Sequence, residues 1–95
     1  MKKLYVLVRG DLSKSQQAVQ AAHAVAELCL FGDRQEWDNG TVVILKVRDL
    51  AMLNDWQQRL GRKVSCFYEP DIGNQMTALA LVDYHVSGFE NLPLL

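Results

Sequence analysis

Cysteine and proline are scarce in this chain of 95 residues, with two of each. The two cysteines, Cys29 and Cys66, lie in apolar segments without Cys-x-x-Cys spacing, which argues against a disulfide framework and predicts buried, reduced thiols. With His23 and His85 they also lack the paired short spacings of structural zinc sites, so we expect no metal. A thiol hydrolase is disfavoured because His23 and Cys29 would point about 240° apart on a helix.

Long apolar runs are absent as well. No run approaches the ~18 residues that a membrane-spanning helix needs. The first run ends at Arg9 and has no cleavage site, which indicates a strand rather than a signal peptide. We therefore predict a cytoplasmic protein with no membrane partner.

Glycine-rich phosphate loops and a strong charge of one sign are also missing. The segment RGDLSKS holds one glycine and cannot form the cradle of Gly-x-Gly-x-x-Gly, so no nucleotide cofactor is expected. A net charge of −1 gives no general attraction to nucleic acid. Basic residues nevertheless cluster near the start of the chain and after its middle, which leaves local phosphate binding open.

What the sequence does contain is a regular alternation of apolar segments and turn signals. It predicts strands at residues 4–8, 41–47, 64–68 and 77–82 and helices at 14–30 and 50–60. Ser13 with Gln16, and then Asp49, supply N-cap signals for the two helices. The order β-α-β-α-β-β predicts an α/β class with a single-domain mixed four-stranded sheet flanked by helices, since the last two strands are too close for a crossover.

Residues 1–83 are predicted to form this domain, and residues 84–95 a C-terminal tail. The segment NLPLL at its end is apolar and contains a proline. Three interpretations stay open for it: it covers an exposed sheet edge, it contacts a partner subunit in a homodimer, or it is a frayed terminus.

The first predicted helix has a narrow polar side. Its small apolar residues at helical spacing predict the face that packs on the sheet: Ala18, Ala22, Val25 and Cys29. Four polar residues, called here the polar seam, fall within about 60° of one another: Gln16, Gln20, His23 and Glu27. The seam is either a solvated helix edge or a site in which amides, an imidazole and a carboxylate orient one another.

Arg9 and Asp11 follow the first strand at its carboxyl end, where ligands collect in open α/β sheets. The first helix begins there, so the polar seam is predicted to open onto this crevice. The turn-rich segment EPDIGNQMT carries Glu69 and Asp71, either of which can orient water; the alternative is a plain solvated turn.

The stretches LYVLVRGDL, QQAVQAAHA, NGTVVILKV and TALAL, in this order and spacing, resemble the type-II (archaeal and eukaryotic) peptidyl-tRNA hydrolase family, especially its small bacterial and phage relatives. The most specific parts are Arg-x-Asp-Leu at 9–12 and Ala-x-Gln-x-x-His-Ala at 18–24. The resemblance covers roughly residues 3–83. It implies a mixed four-stranded sheet, cleavage of the ester between a peptide and the 3′ end of tRNA, and no metal or cofactor. The implied partner is tRNA or peptidyl-tRNA.

The chain also departs from the family pattern. The proposed catalytic lysine of the family, four residues before the motif glutamine, is Gln16 here, while Lys14 matches a neighbouring family lysine. The family's Asp-Ala-Gly-Arg-Thr loop is replaced by a segment that keeps an acid at Glu69 or Asp71 and a threonine at Thr77. The first change removes the family lysine and the second removes the arginine of the loop, so two cations near the implied RNA are lost.

Two functions follow as hypotheses. In an esterase, His23 is the base or orienting group, Asp71 or Asp11 positions it, and Lys14 or Arg9 holds negative charge. The expected substrate-binding residues are Arg9, Gln16, Gln20 and Thr77. The alternative is a non-catalytic module that binds RNA or a protein on the same fold.

Overall fold

Four strands and two helices follow one another in the predicted order in the computed structural model, which describes residues 1–95. The elements are β1 (Lys3–Arg9), α1 (Lys14–Phe31), β2 (Val42–Val47), α2 (Leu50–Leu60), β3 (Ser65–Glu69) and β4 (Gln75–Asp83). Short 3₁₀ turns lie at Gly61–Lys63, Pro70–Ile72 and Phe89–Asn91. The predicted α/β class, with one domain and a mixed four-stranded sheet, is confirmed. Neither helix is long and apolar enough to cross a bilayer.

The sheet has the order β2-β1-β4-β3. β1 pairs parallel with β2 through the crossover helix α1, and antiparallel with β4. β3 and β4 form an antiparallel hairpin, as their short connection predicts. β1 is therefore central, which explains why its sequence is apolar on both faces.

Helices cover both faces of the sheet, and side chains alternate between them along each strand. The face under α1 holds mainly small and branched residues: Leu4, Val6, Val8, Ala78, Ala80 and Val82. The opposite face lies under α2 and the C-terminal segment and holds larger ones: Tyr5, Leu7, Leu45, Val47, Leu79 and Leu81. Alanine on β4 allows α1 to approach the sheet closely.

Helix α1 starts at the predicted cap, but only half of the predicted capping box forms. The Gln16 N–H donates to Ser13 Oγ at 3.2 Å. The return bond is absent because the Gln16 side chain instead accepts a hydrogen bond from Gln20. In α2 the N-cap is Asp49, which accepts from the Met52 N–H at 3.0 Å.

The predicted packing face of α1 is wrong. The residues that are buried are Gln17, Gln20, Ala21, Ala24 and Leu28, about 100° around the helix from the predicted set of Ala18, Ala22, Val25 and Cys29. Burial of the two glutamines is possible because their amides are hydrogen-bonded; Gln17 donates to the carbonyl oxygens of Gly10 and Leu12.

The predicted burial of both thiols is also wrong for Cys29, which the rotation of α1 leaves exposed. Cys66 is half-buried on β3, and this burial raises the pKa of its thiol. Neither cysteine has a partner for a disulfide.

The C-terminal segment packs back onto the sheet. Phe89 is buried, and its ring meets the rings of Tyr5 and Trp56 edge-on, with centroids 5.2 and 4.9 Å apart. Further on, the Lys46 N–H donates to the Pro93 carbonyl at 2.9 Å. Of the three interpretations of NLPLL, the structure therefore favours the covered edge: the segment lies along the outer edge of β2.

Candidate functional site

A β-bulge at the start of β4 places Thr77. Tyr68 pairs with Met76 and Phe67 with Ala78, so Thr77 has no partner residue on β3. Strict alternation would turn Thr77 toward α2, the side that Leu79 faces. The extra residue reverses this direction, and the fully buried hydroxyl of Thr77 points at α1 instead.

The hydroxyl joins a hydrogen-bonded group called here the Gln20 cluster, formed by Gln16, Gln20, Glu69 and Thr77. Thr77 Oγ1 donates to Gln20 Oε1 at 2.6 Å. Gln20 Nε2 donates to Glu69 Oε1 at 2.8 Å and to Gln16 Oε1 at 3.1 Å. The Gln20 side chain is 1% exposed, so this network fixes a buried amide whose partners come from α1, β3 and β4.

Glu69 is the carboxylate of this cluster. It is the last residue of β3, and Gln20 holds its Oε1. Its Oε2 accepts a long bond, 3.4 Å, from the Asp71 N–H. The carboxylate is thus oriented by a buried donor while the residue stays partly open to solvent, an arrangement suited to taking a proton from water.

Asp71, the acid assigned a catalytic role from the sequence, is exposed, and only its backbone N–H contacts the cluster. From the sequence, the acid of the family loop is retained at either Glu69 or Asp71, and the catalytic role is assigned to Asp71. A signal for Glu69 was present, because it directly follows a predicted strand, where functional side chains of α/β sheets collect.

Arg9 and Asp11 form a second polar group on the other face of the sheet. Arg9 Nε and Nη2 donate to the Asp11 carboxylate at 3.0 and 2.9 Å. Arg9 Nη1 donates to Gln75 Oε1 at 2.8 Å and to the Met76 carbonyl at 3.3 Å. Arg9 is 7% exposed, and its charge is paired with the Asp11 carboxylate.

The Arg9–Asp11 pair lies at the same end of the sheet as the Gln20 cluster. Arg9 reaches the backbone and side chain immediately before Thr77, so the two polar groups meet at the first residues of β4. The hydrogen bonds from Arg9 hold the pKa of Asp11 below its usual value. Arg9 and Asp11 therefore support the start of β4 beside the bulge, and their predicted contact with a substrate stays a prediction.

The remaining seam residues lie along the border between α1 and β3. The His23 ring stacks face to face on Phe67, with centroids 4.2 Å apart and an interplanar angle of 3°. Its residue is exposed and contributes no hydrogen bond to the Gln20 cluster. Glu27, one turn further, is half-buried. The polar seam is thus buried against the sheet at Gln20 and exposed to solvent at Gln16 and at His23, the seam residues before and after it.

Lys14 is not brought to this cluster. It is nine residues before His23 and so lies about 180° away around α1. There it lines, with Lys46, an open cavity of about 440 Å³ that Gln17, Ala18 and Leu95 complete. The three ion pairs of the chain involve neither lysine: Arg9–Asp11, Arg48–Asp49 and Lys63–Asp83. Lys46 was not predicted from the sequence, because only the fold brings it to the same cavity as Lys14.

No known protein-family model matches the chain, and the comparison with curated proteins gives no match either. No three metal-ligating side chains converge to form a site for an ion. The Gln20 cluster and the residues around it are therefore the candidate functional site.

Proposed function

We propose that the protein is a peptidyl-tRNA hydrolase-like esterase on a type-II peptidyl-tRNA hydrolase-like fold. Its substrate would be the ester between a peptide and the 3′ end of tRNA. The observation that carries the proposal is the buried Gln20 amide, which holds the Glu69 carboxylate on one side and the Thr77 hydroxyl on the other. The sequence motifs that resemble the family contribute Gln20 and Thr77 to this cluster, and they contribute His23, which stacks on Phe67 of β3.

In the proposed reaction, Glu69 takes a proton from a water molecule as the water oxygen attacks the ester carbonyl carbon. The tetrahedral intermediate collapses by breaking the bond between that carbon and the 3′ oxygen of the ribose. The proton on Glu69 then passes to this leaving oxygen, which restores the carboxylate. Atoms and charge balance without a metal or cofactor.

Negative charge on the carbonyl oxygen needs donors in this mechanism. Gln16 offers them, because its Oε1 is occupied by Gln20 and its Nε2 hydrogens remain free at an exposed position. A neutral amide stabilises an oxyanion less than the lysine of the family would. Gln16 is thus a substrate-binding residue of modest catalytic power.

His23 is assigned to the terminal nucleotide of the tRNA. One face of its ring is packed on Phe67, and the residue is exposed beyond it. Single-stranded RNA ends are commonly bound by stacking of bases on aromatic rings. The stacked His23–Phe67 pair would hold the 3′ base beside Glu69.

Lys14 and Lys46 are assigned to tRNA phosphates. Replacing either by alanine should weaken tRNA binding and reduce the slope of log K against log salt by about one, since one released counterion is lost per phosphate contact. Filter binding at several salt concentrations measures both. Arg62→Ala is the matched control, because Arg62 is an exposed cation near the other end of the sheet. An equal loss in Arg62→Ala would refute the assignment.

One observation favours a second candidate, a non-catalytic RNA-binding module. Gln16 stands where the family has a lysine, and Lys14 lies on the opposite side of α1, so neither position supplies a cation to the Gln20 cluster. This candidate predicts salt-dependent RNA binding without turnover.

Incubation with N-acetylaminoacyl-tRNA distinguishes the two functions. The esterase releases the N-acetylamino acid at a rate proportional to protein concentration, above the rate of spontaneous hydrolysis. Free aminoacyl-tRNA, which carries a charged amine next to the ester, serves as the comparison substrate. Release at the spontaneous rate only, with tRNA still bound, would replace the esterase by the binding module.

A further inference from the structure

We propose that the peptide part of the substrate binds as a fifth strand along the free edge of β3, parallel to it, with its esterified carboxyl end at Glu69. This inference rests on the proposed function. It adds a mode of recognition for the peptide, which the Gln20 cluster by itself does not provide.

The two edges of the sheet differ. The outer edge of β2 is covered, since Lys46 donates to the Pro93 carbonyl and the Leu95 N–H donates to the Ile44 carbonyl. β3 pairs with β4 on one side and with no strand on the other. Proteins commonly protect such an edge with lysine or proline. β3 has neither, and its one charge, Glu69, is at its end.

The pairing pattern shows which backbone groups face outward. On β1, the Leu4 N–H donates to the Thr41 carbonyl and the Gly10 N–H to the Val47 carbonyl, both on the β2 side. Even-numbered residues of β1 therefore bond toward β2 and odd-numbered ones toward β4. Their partners on β4 are also odd-numbered, with Leu7 opposite Leu79.

It follows that Ala78 and Ala80 of β4 bond toward β3. They lie opposite Phe67 and Ser65, whose N–H and C=O groups are consequently used within the sheet. Cys66 lies between them and directs its N–H and C=O to the free edge. Tyr68, the next residue but one and just past the bulge, does the same. A row of unpaired donors and acceptors thus leads to Glu69.

Direction and length follow from the position of the reacting ester. The ester carbon must reach Glu69, at the carboxyl end of β3, so a peptide lying along this edge runs parallel to β3. Five residues at about 3.3 Å each give room for roughly 17 Å of extended peptide. Because backbone groups make the contacts, peptides of different sequence bind alike, as strand addition allows.

A peptide fits this edge better than a second copy of the chain. The surface that pairing along the five residues of β3 would bury is far smaller than the roughly 1,200 Å² that stable protein interfaces bury. A weak contact suffices for a peptide, because the tRNA to which it is attached raises its effective concentration at the edge.

The direct test is NMR of the ¹⁵N-labelled full chain titrated with N-acetyl-Thr-Val-Thr-Val-Thr amide, which contains no ester. The proposal predicts shifts of the Cys66 and Tyr68 amide signals. In a control peptide, two adjacent central amides are N-methylated. Because alternate amides of a strand point to opposite sides, one methylated amide then faces β3 in either alignment and cannot donate, so this peptide should give no shifts. Equal shifts with both peptides, or none with either at millimolar concentration, would overturn the proposal.

A nitroxide on the peptide tests the direction. At the carboxyl end it should broaden the Glu69 and Thr77 signals, and at the amino end the Ser65 signal; the reverse pattern would contradict parallel binding. Concentration-dependent shifts of β3 amides without peptide, with a dimer in sedimentation, would show that a second copy takes the edge and would also overturn it.

Kinetics separate this inference from the proposed function. If the esterase is active, an N-methylated peptidyl-tRNA should have a kcat/KM about tenfold lower than its unmethylated counterpart, the loss expected for one or two hydrogen bonds. Equal kcat/KM values would refute strand addition and leave the esterase intact. Peptide shifts at β3 without any hydrolysis would refute the esterase instead.

Discussion

Replacing Glu69 by glutamine is expected to slow release of the N-acetylamino acid by about 10²–10⁴-fold, the contribution of a general base. The amide oxygen of the new side chain still accepts the hydrogen bond from Gln20, so the cluster keeps its shape while losing the group that takes the proton. Initial rates with N-acetylaminoacyl-tRNA at saturating and at low concentration measure the effect. The loss should appear in kcat, with KM little changed.

Asp71→Asn is the matched control for this variant. Asp71 is two residues away on the exposed 3₁₀ turn that follows Glu69, and its side chain is outside the cluster. We expect a rate near that of the unmodified protein. An unchanged rate for Glu69→Gln together with a large loss for Asp71→Asn would show that the reaction depends on Asp71, which the sequence assigns to positioning His23, and not on Glu69.

Replacing Thr77 by valine should reduce both stability and activity. Valine matches the shape of threonine but removes the donor that satisfies Gln20 Oε1 at a fully buried position. An unsatisfied buried acceptor costs about 1–3 kcal/mol in the free energy of unfolding. Because Gln20 then loses one of the contacts that position Glu69, hydrolysis should fall by about 10²-fold, the size expected for a misplaced catalytic group.

Urea denaturation and the tRNA assay measure the two effects. Thr77→Ser keeps the hydroxyl and should retain most of the activity, which separates loss of the hydrogen bond from loss of packing. Full stability and full activity in Thr77→Val would show that the bulge does not serve the cluster.

The order of the strands and helices was predictable because apolar runs, N-cap residues and short connections in the sequence indicate it. β1 is apolar at every position from Leu4 to Val8, which indicates a strand covered on both faces, and it is central. Ser13 and Asp49 cap the helices that they were predicted to start. The short segment after Glu69 predicted the antiparallel hairpin.

The orientation of α1 was not predictable from its own composition. Alanine is compatible with either face, and glutamine is normally exposed. Gln17 and Gln20 are buried because the backbone after β1 and the side chains of Glu69 and Thr77 supply their partners. These partners are distant in sequence, so helical periodicity carries no information about them.

The Gln20 cluster was predicted only in part, because some of its contacts also join residues that are distant in sequence. Gln16, Gln20 and Thr77 were identified, and the structure brings them together. Lys14 was placed with them because of its position in the sequence, whereas helix geometry turns it toward Lys46. The bulge that aims Thr77 at α1 depends on pairing with β3, which a single strand sequence does not encode.

A single-turnover reaction in H₂¹⁸O tests most directly whether the Gln20 cluster hydrolyses the ester with Glu69 as base. With protein in excess over N-acetylaminoacyl-tRNA, the released N-acetylamino acid should carry one ¹⁸O atom in its carboxyl group, at a rate that Glu69→Gln lowers by about 10²-fold or more. Release of labelled acid at the same rate from both proteins, or no release above the spontaneous rate from either, would contradict the proposed site.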